Sequence, residues 1–134
     1  MENYEELLEQ LNSTLHLFQE NEMKVVELRR GYAKGTIVVH DNIKNIHGFV
    51  HGGALFTLAD NVAGFCAFAT GHRCVTLDGD IRYIRPGIDG TLTCIAKELS
   101  AGKTTGVYQA DIYNEEGKLL CTSTFTMYFV KDKS

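Results

Sequence analysis

The chain has 134 residues, 44% of them hydrophobic, which is enough for one compact domain with its own core and too little for two. Its formal net charge of -4 gives no overall positive field to draw it to nucleic acid or to an anionic membrane surface. The start, Met1 to Gln10, is rich in Glu and lacks the basic region and apolar stretch of a secretory signal, and no apolar run reaches membrane-spanning length, so a cytoplasmic protein is expected.

In chain order, Tyr4, Leu7, Leu8, Leu11, Leu15 and Phe18 recur at three- and four-residue steps and predict one amphipathic helix covering an end of the domain, within residues 1–21. The core is expected over 22–130. Met23 to Arg30 and Ala33 to His40 predict a hairpin turning at Gly31 and Tyr32, followed by a loop from Asp41 to Val50. Gly52 to Thr70 is apolar nearly all round and predicts a buried central helix about 28 Å long at 1.5 Å per residue. A bilayer span is excluded, because Asp60 in mid-segment costs about 2.5 to 3.5 kcal/mol on insertion scales.

Cys74 to Arg85, Thr91 to Leu99, Lys103 to Tyr113 and Lys118 to Val130 predict four further strands, expected to run as a meander and separated by Gly-containing turns. In the last of them Leu119, Cys121, Phe125, Met127 and Phe129 are expected on the buried face and Leu120, Thr122, Thr124, Thr126 and Tyr128 on the other. The order implies an α+β domain in which a curved antiparallel sheet wraps the long helix. Cys66, Cys74, Cys94 and Cys121 form no C-x-x-C pair and fall in apolar or strand contexts, as reduced core or interface thiols do.

The chemistry is sought at Asp60, since an aspartate is almost never buried without a partner. Thr57, Asp60, Asn61 and Gly64 fall on one face of the helix and make a narrow polar and small stripe. Taken alone, Asp60 is either a carboxylate satisfied by Asn61 or a backbone amide, or a group facing a pocket or a subunit interface. The loop Asn45-Ile46-His47-Gly48-Phe49-Val50-His51-Gly52-Gly53 leads straight into the helix N-terminus, whose free N–H groups and positive dipole end suit a developing negative charge. Asp60 is about two turns from that terminus, a separation removed if antiparallel helices of two subunits face each other.

The run N-x-x-G-x-x-H-G-G-x-x-x-x-x-x-D, here Asn45, Gly48, His51, Gly52, Gly53 and Asp60, resembles the signature of hotdog-fold acyl-CoA thioesterases of the phenylacetic-acid-degradation (PaaI) group. The resemblance spans about Met23 to Val130 and continues in Ile81-Arg82-Tyr83-Ile84-Arg85-Pro86-Gly87 and Gly102-Lys103-Thr104. It implies a hotdog fold and hydrolysis of an acyl-CoA to free acid and CoA. The N–H of Gly52 is then the oxyanion hole, Asn45 helps to hold the leaving sulfur or the attacking water, and Asp60 of the opposing subunit acts as general base or nucleophile. Thr76 matches a position that positions the water in some relatives, although as a strand residue it has an ordinary reading too.

His51 reads as a residue that orders the loop through hydrogen bonds rather than as a base. His47 and His51 have no third ligand at a regular spacing, so no metal and no cofactor beyond the substrate's own coenzyme are expected. Gly53, Arg85, Gly87, Lys103 and Thr104 are the expected CoA-binding set, Arg85 and Lys103 being equally readable as solvated strand-end charges. The resemblance implies a homodimer or a dimer of dimers, a homotetramer, with sites at the subunit interface. Phe49, Leu55, Phe56 and Phe65 suit an aryl-acetyl or a medium-chain acyl pocket equally. Hydration of an acyl thioester on the same fold lacks its acid-base motif here; the remaining alternatives are a non-catalytic acyl-CoA-binding domain and hydrolysis of a carrier-protein-bound acyl group.

Overall fold

A computed structural model describes residues 3–131. The N-terminal segment is two helices, α1 (Tyr4–Thr14) and α2 (His16–Glu20), rather than one. Asn3 caps α1 by accepting the Glu6 N–H at 3.1 Å. At the other end Ser13 and Thr14 both donate to the Gln10 carbonyl, a side-chain bond that competes with helix continuation, and Leu15 leaves helical geometry at ψ 83°. The break turns Phe18 inward, edge-on to Phe65 with ring centroids 5.3 Å apart. Asn12 then clasps the backbone of Val25, donating to its carbonyl at 2.7 Å and accepting its N–H at 2.8 Å, so α1 is tied to the first strand.

Strands β1 (Met23–Arg29) and β2 (Tyr32–Val38) form the expected hairpin, with Gly31 in the left-handed region at φ 73°. The long helix α3 (Gly52–Phe68) follows, and then β3 (Arg73–Tyr83), β4 (Thr91–Ala101), β5 (Thr105–Tyr113) and β6 (Leu119–Val130). The six strands make one antiparallel sheet in the order β1-β2-β4-β5-β6-β3, with α3 packed on its concave face. Leu58, Ala59, Val62, Ala63, Cys66 and Ala67 are fully buried there, against Ile37, Leu92, Ile112 and Phe125 from the sheet.

The four-strand meander is corrected: β4, β5 and β6 are consecutive neighbours, but β3 lies at the far edge and pairs with β6. Residues 84–90 carry the chain back to β4, which sits beside β2. As an edge strand β3 buries none of its residues, and Val75 and Leu77 are 53% and 60% exposed. The face expected for β6 also shifts at its start. A register irregularity opposite Ile112 and Tyr113 places Leu120 inside and leaves Leu119 half-buried, while Cys121, Ser123, Phe125, Met127 and Phe129 alternate inward. All four cysteines are free thiols.

Candidate active site

The stripe on α3 is real: Thr57, Asp60, Asn61 and Gly64 are half-buried on a helix whose other faces are closed off by the sheet. Thr57 donates to the Gly53 carbonyl at 2.9 Å and Asn61 to the Thr57 carbonyl at 2.8 Å, so both side chains fold back along the helix. Asn61 is therefore not the partner of Asp60. That partner is Thr76 on β3, whose hydroxyl donates to Asp60 Oδ1 at 2.6 Å, the short distance of a charge-assisted bond. Among the described residues this is the one side-chain hydrogen bond to the carboxylate. Thr76 stands immediately before a bulge at Leu77 in the β3–β6 ladder.

Asp60 opens into a cavity of about 350 Å3, shared with Asn61, Phe65, His72, Cys74 and Thr76 and lined also by Leu11 and Phe68. Cys74 reports the charge in it: burial, and then the negative charge of Asp60, pushes its thiol above the ordinary cysteine value. His72 is fixed by stacking on Phe129, centroids 3.8 Å apart and planes 8° from parallel.

The loop leading into the other end of α3 is folded largely by its own residues. Asn45 Oδ1 accepts the N–H groups of His47 and Phe49 at 2.9 and 3.1 Å, and Gly48 takes φ 81°, folding the loop on itself. The Asn45 carbonyl oxygen thus serves the loop, leaving its amide N–H groups for any role with substrate. His51 anchors the loop through its backbone, its N–H donating to Ile43 O at 2.7 Å, and its exposed ring makes no cap bond. The hydrogen bond by which His51 orders the loop is thus one from its main chain. Among the described residues the N–H groups of Gly52 and Gly53 have no recorded acceptor, as the first turn of an uncapped helix leaves them.

Tyr83, to which its motif alone gives no role, also shapes this end. Its hydroxyl donates to Gly52 O at 2.8 Å, and a Cβ on Gly52 would stand 3.2 Å from its ring. Gly52, Tyr83, Arg85 and Gly87 share a second cavity of about 300 Å3. Gly53 faces a separate recess of about 240 Å3 beside His51 and Thr57.

Asp60 and Gly52 therefore line different cavities of one chain, eight residues or about 12 Å apart along α3. The candidate coenzyme ligands divide as well. Arg85, donating to Leu119 O at 2.8 Å, is at the Gly52 end, where Gly87 is buried against Val50 and Leu92 as a packing position. Lys103 and Thr104 are exposed in the β4–β5 turn, where Thr104 O accepts the N–H of Phe129, the register partner of Cys74. The two groups thus stand at opposite ends of β3, about 33 Å apart at 3.3 Å per residue. Of the aromatic and aliphatic pocket candidates, Phe65 lines the Asp60 cavity and Leu55 the Gly52 cavity; Phe56 packs edge-on to Phe125, and Phe49 is exposed on the loop.

Residues 47–121 match the Thioesterase superfamily. The acyl-coenzyme A thioesterase PaaI of Escherichia coli K12 is 36% identical over 95 residues, covering 70% of this chain and 68% of that protein. The crystallised E. coli PaaI protein from the phenylacetic acid degradation operon superimposes with a TM-score of 0.89 at 27% identity, covering 93% of this chain and 91% of that one. A hypothetical thioesterase of Streptococcus pneumoniae TIGR4, crystallised with coenzyme A, is 35% identical with a TM-score of 0.79, covering 84% of this chain and 88% of that one. The same protein has been crystallised with an aspartate and, separately, a threonine replaced by alanine, two positions sixteen residues apart.

A central helix wrapped by one antiparallel sheet, the Gly-Gly helix entry and this match make the chain a member of the Thioesterase superfamily with the hotdog fold. It is a PaaI-like thioesterase, as the run from Asn45 to Asp60 implied. Among the described residues no helix is long and apolar enough to cross a membrane.

Proposed function

We propose that the chain hydrolyses acyl-CoA thioesters in a site completed by a second copy of itself, with Asp60 from one protomer and the Gly52 N–H from the other. The observation that carries this is the separation of the two halves. Each has the chemistry the other lacks, and the Asp60 stripe is the face of α3 that its own sheet leaves uncovered. The spacing supports it too, since Asp60 and Thr76 are sixteen residues apart, as are the aspartate and threonine substituted in the streptococcal thioesterase.

In this reading the thioester carbonyl points its oxygen at the Gly52 N–H, where the helix dipole stabilises the tetrahedral oxyanion. Thr76 holds one oxygen of Asp60, and the carboxylate attacks the carbonyl carbon directly or through a water whose proton it takes. Collapse of the oxyanion breaks the C–S bond and coenzyme A leaves as its thiolate; by the water route the acid is then free, whereas by direct attack the acyl group stays on Asp60 as a mixed anhydride that a water hydrolyses to the acid and the restored carboxylate. Asn45 offers its amide N–H groups to the sulfur or the water. With two chains, Arg85 of one and Lys103 and Thr104 of the other are available to the coenzyme's phosphates, which no single chain gathers together.

Thiol release from aryl-acetyl, short, medium and long acyl-CoA by wild type and Asp60→Ala tests this. The variant is expected to keep its fold and lose about two to four orders of magnitude in turnover. Full activity of Asp60→Ala, a wild type silent across the panel, or an active monomer on sizing each overturns the reading.

A further inference from the structure

The cavity beside Asp60 has a far end that the hydrolytic chemistry does not use. From Asp60 and Thr76 it follows α3 to Phe68, eight residues or about 12 Å along the helix, and Leu11 of α1 lines it too. Its polar lining comes from the stripe on α3 and from residues 72–76, whereas the far end is apolar. Beyond Phe68 lies a second hollow of about 280 Å3, bounded by Leu7 and Gln10 of α1 and by Gly71. Phe68 is half-buried and lines both spaces.

The wall is fixed in place. Asn12 pins α1 to β1 through two bonds to Val25, Tyr4 donates to the Ala69 carbonyl at 3.3 Å, and Leu7, Leu8, Leu11 and Leu15 pack on the core. It lies outside residues 47–121, the part that matches the superfamily. A substrate whose carbonyl carbon is beside Asp60 and whose acyl group follows this cavity meets Leu11 and Phe68 at its distal end.

We propose that α1 is the specificity element of the enzyme, with Leu11 the wall residue that limits acyl length. This rests on the acyl-CoA reading above. The substrate class it selects is an acyl group with an apolar end, aryl-acetyl or medium-chain, that fits within about 12 Å of the thioester.

The test measures kcat/KM for an acyl-CoA series of increasing chain length on wild type, Leu11→Ala, Leu11→Trp and Leu8→Ala. Leu8 packs on the core from the same helix but lines neither space, so its variant reports helix loosening alone. Leu11→Ala is expected to raise the long-to-short ratio about tenfold or more, because one methylene in an apolar pocket is worth at least that, and Leu11→Trp to lower it. Leu8→Ala is expected to keep the wild-type ratio. An unchanged ratio in both Leu11 variants, or an equal shift in Leu8→Ala, overturns the proposal while leaving hydrolysis established. The same variants are titrated with non-hydrolysable acyl-CoA thioethers of the same lengths. If wild type does not turn over, the hydrolytic reading fails, and the length dependence of binding still decides whether Leu11 is the wall.

Discussion

The two ends of α3 are made in different ways. The Gly52 end is mostly local: Asn45, Gly48 and the backbone of His51 fold a ten-residue stretch into a helix entry whose first N–H groups are left unpaired, with Tyr83 of β3 adding a long-range bond to Gly52 O. The Asp60 end is assembled at long range, from a helix residue, a strand residue sixteen positions later and a wall from α1. In the proposed reaction the electrophile-binding half needs only backbone donors, which any uncapped helix start supplies. A half that holds a carboxylate must fix a side chain against solvent, and that takes a partner from another element. In one chain the halves do not meet.

The sharpest way to break that comparison is complementation. Asp60→Ala lacks the carboxylate; Gly52→Leu puts side-chain atoms where even a Cβ would stand 3.2 Å from the Tyr83 ring, blocking the donor end. Each variant alone is expected to be nearly inactive. Refolded together in equal amounts, half of the dimers are mixed and each mixed dimer carries one intact site of two, so about a quarter of wild-type activity returns if the interface is two-fold. No recovery, with mixed dimers confirmed by native mass spectrometry, places both halves in one chain and ends the shared-site description.

Next in size is Thr76→Ala, which removes the 2.6 Å bond to Asp60. A hydrogen bond to a charged group is worth about 1.5 to 3 kcal/mol, and the exposure of Thr76 argues for the lower figure, so kcat is expected to fall about tenfold. Thr76→Ser should restore most of it, and KM should move little, because Thr76 orients the carboxylate rather than the coenzyme. A tenfold rise in KM with kcat unchanged would instead make Thr76 a substrate ligand.

The legibility of the molecule in its sequence follows the same division. The helix entry could be read directly, because glycines, Asn45 and the start of an apolar run are neighbours in the chain. The stripe at Thr57, Asp60, Asn61 and Gly64 was equally readable from helical spacing. What spacing could not supply was the position of β3. Strand order is a non-local choice, and once β3 crosses to the outside of β6 it brings Thr76, Cys74 and His72 against the stripe. Thr76 was named only through the family resemblance, and Tyr83 was quoted in a motif without its contact to Gly52. Leu11 looked like any apolar residue of a covering helix, and the break at Leu15 that seats Phe18 depends on bonds from Ser13 and Thr14 that periodicity ignores.

The smallest effect examines the charge in the Asp60 cavity without using catalysis at all. Alkylation needs the thiolate, and Cys74 is held above its ordinary value by burial and then by Asp60. Asp60→Asn removes the second cause, so the Cys74 value falls, the thiolate fraction at a fixed mildly alkaline pH rises, and the pH profile of alkylation moves to lower pH, giving a few-fold faster reaction. Burial pushes Cys66 up to about 12 and Cys121 up to about 11, and fully buried Cys94 is well above its usual value too; all three should stay unreacted in the folded protein and serve as internal references. Peptide mapping after brief iodoacetamide treatment reads the four sites separately. If Cys74 reacts at the same rate in wild type and Asp60→Asn, the carboxylate does not share the cavity with that thiol, and the packing of β3 against α3 that places Thr76 on Asp60 is wrong as well.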